Sequence, residues 1–185
     1  MKENLEEQEL ARRCSERDDM AISELYMRYA ARLLTLCRRY SSDSDDAEDL
    51  MQDALIKALD KISTFTYRGK GSLYAWISRI AVNMALSRIR KRKLRVLSLS
   101  SDNVPDIPDP GEEEMVKIPQ DKMLEMISGL TDVRRAVFNM YCIDGYSHRE
   151  IAEALGISEK GSASTLAKAR GQLKKAIREY LDKTQ

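Results

Sequence analysis

Apolar side chains recur every three or four residues along most of the chain, and nowhere do apolar and polar residues alternate for long. That period belongs to the α-helix. Ile22, Leu25, Tyr26, Tyr29, Leu33, Leu36, Cys37 and Tyr40 make one such stripe, for which Asp18 or Asp19 offers an N-terminal cap. A second helix is expected from about Asp45 to Ile62, turning Ala47, Leu50, Ala54, Leu55, Ala58, Leu59 and Ile62 inward. The stretch "TFTYRGKGS" then breaks the pattern with two glycines. Ser72 can cap a third helix running to about Leu94, with Leu73, Trp76, Ile77, Ile80, Ala81 and Met84 on its buried side. Four shorter helices are expected further on. One spans about Asp121 to Ser128. Thr131 caps the next, whose stripe holds Val133, Val137, Met140 and Tyr141. Ser147 and Glu150 form a capping box for the third, and the last runs from near Ser158 to about Leu181.

All four prolines fall between Pro105 and Pro119, inside "SSDNVPDIPDPGEEEMVKIPQ". A polar, acidic, helix-breaking segment between two helical halves predicts a flexible linker. The expected organisation is therefore all-α: residues 1–96 as an N-terminal helical bundle, 97–119 as linker, and 120–185 as a second small domain. At 185 residues with 43% hydrophobic content, two small cores are feasible.

The net charge of +1 conceals a segregation that changes the picture. Between Asp43 and Asp60 there are seven acidic residues against the single base Lys57. From Lys61 to Ser101 no acidic residue occurs, while Arg68, Lys70, Arg79, Arg88, Arg90, Lys91, Arg92, Lys93 and Arg95 do. Lys160 to Arg178 carries bases only. Two basic surfaces suited to a polyanion are thus offset by acidic segments with other duties. On the second helix Asp49, Gln52, Asp53, Ile56 and Asp60 share one side. Charge runs of this kind usually form a solvated face.

"HREIAEALGIS" has the grammar of a helix-turn-helix, so the C-terminal domain is read as one. Ala152 is small where two helices meet closely, Gly156 sits where the turn wants a positive φ, and Ile151, Leu155 and Ile157 supply the apolar corner. An ordinary helical hairpin is the alternative; the capping box and the basic helix that follows favour DNA. Cys14, Cys37 and Cys142 are scattered and His148 is the single histidine, so neither a zinc site nor a disulfide framework is expected. No phosphate-binding glycine loop, no Cys/His pair and no converging carboxylates are present, so neither catalysis nor a cofactor is expected. The polar N-terminus and the lack of a long apolar run predict a cytoplasmic protein without membrane insertion.

Two stretches together carry a family resemblance. "DAEDLMQDALIKALDKISTF…GKGSLYAWISRIAVNMALSRIR", residues 46–90, and "GLTDVRRAVFNMYCIDGYSHREIAEALGISEKGSASTLAKARGQL", residues 129–173, resemble the two conserved domains of extracytoplasmic-function sigma factors of bacterial RNA polymerase. The likeness runs from about residue 9 to 178. It implies that Asp46, Glu48, Asp49, Gln52, Asp53 and Ile56 bind the polymerase core. It implies −10 recognition and strand opening by Tyr67, Arg68, Lys70, Arg79, Asn83, Arg88, Arg90 and Lys91. It places −35 recognition on His148, Arg149, Lys160, Ser162, Ser164, Thr165, Lys168 and Arg170. The partners implied are core polymerase, promoter DNA and an anti-sigma protein, which in this family is often membrane-anchored. Two departures stand out: Ser87 where the family often has an acid, and Lys160-Gly161-Ser162-Ala163 where Gly-Thr-Val-Lys is common. A conventional DNA-binding regulator with a helical ligand or dimerisation domain is the competing reading; it has no use for an acidic face beside a basic strand-opening helix.

Overall fold

The structure, a computed structural model, describes residues 6–95 and 118–183. The expected linker lies outside the described residues except for Ile118 and Pro119. Eight α-helices and no strand occur among the described residues: α1 (Glu7–Ser15), α2 (Asp19–Tyr40), α3 (Ser44–Lys61), α4 (Ser72–Arg95), α5 (Gln120–Ser128), α6 (Asp132–Phe138), α7 (His148–Leu155) and α8 (Glu159–Asp182). A 3-10 turn, Ile62–Thr64, follows α3, and a π-turn, Asn139–Ile143, prolongs α6. The chain groups into two compact units, Met1–Arg38 with Asp43–Ala85, and Arg39–Ser42 with Leu86–Gln185.

In the first unit Leu10, Cys14, Leu25, Leu33, Leu50, Leu73 and Ile77 are almost wholly removed from water. Each such side chain contributes roughly 1.5–3 kcal/mol relative to exposure. The inward row of α4 is Leu73, Ile77, Ala81 and Ala85, with Val82 beside it, while Trp76, Ile80 and Met84 are half-buried. Tyr26, placed in the α2 stripe by its spacing, is 48% exposed, because Leu25 and Tyr29 define the inward direction and Tyr26 stands a quarter turn away.

Helix starts show why the chain breaks where it does. Asp18, not Asp19, caps α2: its carboxylate accepts the amides of Met20 at 2.9 Å and Ala21 at 3.2 Å. Arg13 pairs with the same carboxylate at 2.5 Å, and that guanidinium, with the two amides, holds the Asp18 carboxyl below the usual carboxylate range. Asp43 caps α3 by accepting the Asp46 amide at 2.8 Å. Thr131 occupies the cap position of α6, but its hydroxyl makes no cap bond. Ser72 is the first residue of α4 rather than its cap, and its hydroxyl accepts the Arg68 amide at 3.2 Å instead.

Arg17 closes α1 in the left-handed conformation, φ 62°, with the Asp18 amide reaching back to the Arg13 carbonyl at 3.2 Å. A side chain costs about 1–2 kcal/mol in that conformation, which glycine avoids. The exposed Arg17–Asp60 contact at 3.6 Å contributes little against this. Arg17→Gly is therefore expected to stabilise the unit by about 0.5–1 kcal/mol after the added chain entropy of glycine. Thermal unfolding should report a midpoint several degrees higher; a lower midpoint would show that the ion pair outweighs the strain.

In the second unit α6, α7 and α8 bury Val137, Met140, Ile151, Leu155, Leu166 and Ile177. The joined group of Ile127, Leu130, Ala169 and Leu173 is flanked by Met123, Met126 and Phe138. It fixes α5 against the middle of α8.

Candidate functional site

The acidic helix α3 presents two chemically distinct sides. Ala47, Leu50, Met51, Ala54, Leu55 and Ala58 are buried. Glu48, Asp49, Gln52, Asp53 and Ile56 are exposed on the other side, Ile56 at 59%, and Asp46 is half-buried at the first turn. The structure thus brings together on one surface five of the six residues assigned to polymerase. A single exposed apolar side chain is ordinary on a protein surface, so the geometry offers Ile56 as an anchor without marking the face as an interface.

The segment after α3 is held at both ends. Phe65 packs on Trp76, ring centroids 5.6 Å apart, so Trp76 serves packing. Gly69 and Gly71 take φ values of 114° and 90°, which side chains resist, and the Ser72 amide bonds back to the Gly69 carbonyl at 3.1 Å. Between these anchors Tyr67, Arg68 and Lys70 are exposed. Along α4, Arg79, Asn83 and Arg90 share one exposed face at helical spacing; Lys91 is exposed beside it and Arg88 is half-buried. Leu86, between Asn83 and Arg90 along the helix, is buried.

The helix-turn-helix is built as its sequence demands. The Ser147 hydroxyl accepts the Glu150 amide at 3.3 Å, and the Glu150 carboxylate accepts the Ser147 amide at 2.8 Å. Those bonds from the Ser147 amide and hydroxyl lower the Glu150 pKa. Gly156 ends α7 at φ 62°, ψ 47°, and the Ile157 amide reaches back to the Ala152 carbonyl at 3.1 Å. Ser158 caps α8 through the Gly161 amide at 3.0 Å.

On α8 the assigned residues separate by burial. Lys160 and Ser164 are exposed, and Lys168, half-buried, continues their row. Thr165 lies half-buried at the flank. Ser162 has no exposed surface: it faces α7 and its hydroxyl meets His148 Nδ1 at 3.0 Å. The His148 ring stacks on Tyr141 at 4.5 Å. In this geometry His148 and Ser162 join α7 to α8 rather than projecting outward. Arg170 is exposed, with its guanidinium 5.8 Å from the Tyr141 ring centroid and an N–H 3.6 Å from Cys142 Sγ. Arg149 is exposed beside Glu153, 3.5 Å away. Sequence reasoning missed Tyr141 and Cys142 as neighbours of the recognition helix, since the π-turn that swings them there leaves no periodic signal. It also missed Ala167, which shares the exposed row of Lys160 and Ser164 at helical spacing.

Among the described residues no cluster of His, Cys, Asp or Glu could hold a metal ion, and no helix is long and apolar enough to cross a membrane. Residues 25–95 match Sigma-70 region 2, and residues 120–173 match Sigma-70 region 4. The RNA polymerase sigma factor NccH of Alcaligenes xylosoxydans xylosoxydans is 28% identical over 171 residues, 89% of this chain and 90% of that protein. The ECF RNA polymerase sigma-E factor of Escherichia coli K12 is 29% identical over 181 residues, 92% and 93% of the two chains. The fold is that of the sigma factor RpoE from Bartonella quintana, solved with the anti-sigma factor NepR, at a TM-score of 0.50 and 22% identity, covering 84% of this chain and 96% of that one. Two regions matched in order along the chain, with relatives along nearly the full length, place the chain in the sigma-70 family, as an extracytoplasmic-function sigma factor that gives RNA polymerase its promoter recognition.

Proposed function

We propose that the outward side of α3, Asp46, Glu48, Asp49, Gln52, Asp53 and Ile56, docks on the polymerase core. The segment Ser63–Ser72 and the exposed face of α4 (Tyr67, Arg68, Lys70, Arg79, Asn83, Arg88, Arg90 and Lys91) then capture and open the −10 element. Cations follow the phosphates, and Tyr67 offers a ring to an extruded base. The exposed row of α8, Lys160, Ser164 and Lys168 with Arg170 at its edge, lies in the major groove of the −35 element. Arg149 at the start of α7 reaches phosphate. His148 and Ser162 set the angle between α7 and α8. The protein catalyses no step of its own, acts in the cytoplasm, and is silenced by an anti-sigma protein, as the RpoE–NepR pairing suggests.

The observation carrying this reading is that the region 2 and region 4 matches follow one another along an all-helical chain and that each includes exposed basic residues. Each unit alone needs only modest DNA affinity, because the polymerase holds both near one promoter. Transcription in vitro with core polymerase and genomic fragments, followed by start-site mapping, tests it. Lys168→Ala with Arg170→Ala is expected to lower initiation at the mapped promoters about tenfold or more, by loss of groove contacts, with core binding unchanged. Equal loss of both activities would mean misfolding, and dimeric duplex binding without core binding would favour a conventional regulator.

A further inference from the structure

α4 begins without a cap of its own. The residue before it is Gly71, which has no side chain to offer, and the Ser72 hydroxyl is turned back onto the Arg68 amide. The first amides of a helix need acceptors from outside it. Here they come from Glu7, at the start of α1 and more than sixty residues away. Its Oε1 accepts the Gly71 amide at 2.9 Å, and its Oε2 accepts the Leu73 amide at 3.1 Å. The Tyr29 hydroxyl donates to Oε1 at 3.3 Å. Both carboxylate oxygens are thus engaged, and the negative charge sits where the helix dipole favours it. Glu7 is itself held, because Leu10, Ala11 and Cys14 bury the inner side of α1.

The consequence falls on the segment before α4. Phe65 fastens its near end to Trp76, and Glu7 fastens its far end at Gly71. Without the carboxylate, Gly69 and Gly71 would leave the far end a wide choice of backbone conformations. We propose that Glu7 is the positioning residue of the −10 segment: by capping α4 from α1 it presets Tyr67, Arg68 and Lys70 for an unpaired promoter base. The inference rests on the reading of Ser63–Ser72 given above and extends it to a residue that precedes the segment matched to region 2. Presetting matters because a segment ordered beforehand spends less binding free energy on ordering when DNA arrives.

The test uses the full chain with core polymerase and a duplex promoter carrying a fluorescent base analogue in the −10 element, comparing Glu7→Ala, Glu7→Gln, Tyr67→Ala and Glu7→Ala combined with Tyr67→Ala. Glutamine keeps the size of Glu7 and one acceptor, so Glu7→Gln should fall between the native protein and Glu7→Ala. In Glu7→Ala, amide exchange at Gly71 and Leu73 should accelerate about tenfold or more, and strand opening should slow by a similar factor, with core affinity within twofold. Because Glu7 acts through the segment, its loss should add clearly less on the Tyr67→Ala background than in the native protein, the remainder passing through Arg68 and Lys70. Additive losses, or opening unchanged in Glu7→Ala while Tyr67→Ala slows it, would overturn the positioning role and leave the −10 reading intact. Core affinity falling in both Glu7 variants would make Glu7 a general support of the unit and also overturn it. Opening unchanged in Tyr67→Ala would remove the −10 reading and this inference with it.

Discussion

Arg135→Ala is expected to destabilise the C-terminal helices by about 3–5 kcal/mol, from loss of the hydrogen bonds that Arg135 makes to two carbonyls and Asp132 and from the void that alanine leaves. Arg135 is 1% exposed. Its Nη1 donates to the Ser128 carbonyl at 2.7 Å and the Leu130 carbonyl at 3.0 Å, and its Nη2 donates to Asp132 at 2.5 Å. The Ser128 carbonyl closes the last turn of α5, where carbonyls lack helical partners and the dipole attracts a cation. One guanidinium therefore terminates α5, fixes the turn and opens α6 at Asp132, where the Thr131 hydroxyl makes no cap bond. Alanine leaves those acceptors without it and opens a void as well. A unit of this size has about three to ten kcal/mol in all, taking about 0.05–0.15 kcal/mol per residue, so most of its stability should go. Hydrogen exchange across residues 120–155 should show the loss directly. Arg135→Lys should rescue only part of it, since an ammonium cannot span the same acceptors as a planar fork. Midpoints within about 0.5 kcal/mol of the native protein would show that the cation is a passenger in this core.

What the sequence made legible, and what it did not, divides along the same line of local against distant cause. The α2, α3 and α4 stripes, the Ser147–Glu150 capping box and the Gly156 turn all arise from residues within a few positions of each other, and each could be read directly. α1 was not anticipated, because Leu10, Ala11 and Cys14 are its whole apolar content and charged neighbours surround them. Ser72 looked like a cap because a serine before a long apolar run usually is one; nothing nearby announced that Glu7 would do the work instead. Tyr26 sits about a quarter turn from the true inward direction, an error that spacing alone does not correct. The last helix, α8, follows from the sequence nearly to its ends, but Ser162, assigned to DNA by the resemblance, turns toward α7, because its partner His148 lies on the preceding helix. The residues of the proposed polymerase face were the most readable of all: an exposed isoleucine among carboxylates follows from the 3–4–7 spacing once the inward row of α3 is known.

That face carries the second large effect. Asp49→Ala with Gln52→Ala is expected to weaken binding to core polymerase by about thirty- to a thousandfold, since truncating central interface side chains costs about 1–2 kcal/mol each. Stability should change by less than about 0.5 kcal/mol, because both side chains stand in water on the side of α3 opposite Leu50 and Ala54. Ile56→Ala should add a loss of its own, from an anchor 59% exposed in the free chain that the complex would cover. The carboxylate and the isoleucine should respond differently to salt. Raising ionic strength screens the attraction of Asp49 for a basic partner and slows association, whereas the Ile56 contribution should persist and appear in the dissociation rate. A titration of fluorescent protein with core polymerase at two salt concentrations separates these contributions. If both the Asp49→Ala with Gln52→Ala protein and Ile56→Ala bind as the native chain does, α3 presents only a solvated acidic side, and the polymerase contact must lie elsewhere on the N-terminal unit. If they bind weakly but also lose helicity, the face supports the fold and the docking assignment fails. Weak binding with full helicity, and a salt response reduced in the Asp49 variant but kept in the Ile56 variant, is the outcome that the placement of these residues on α3 leads us to expect.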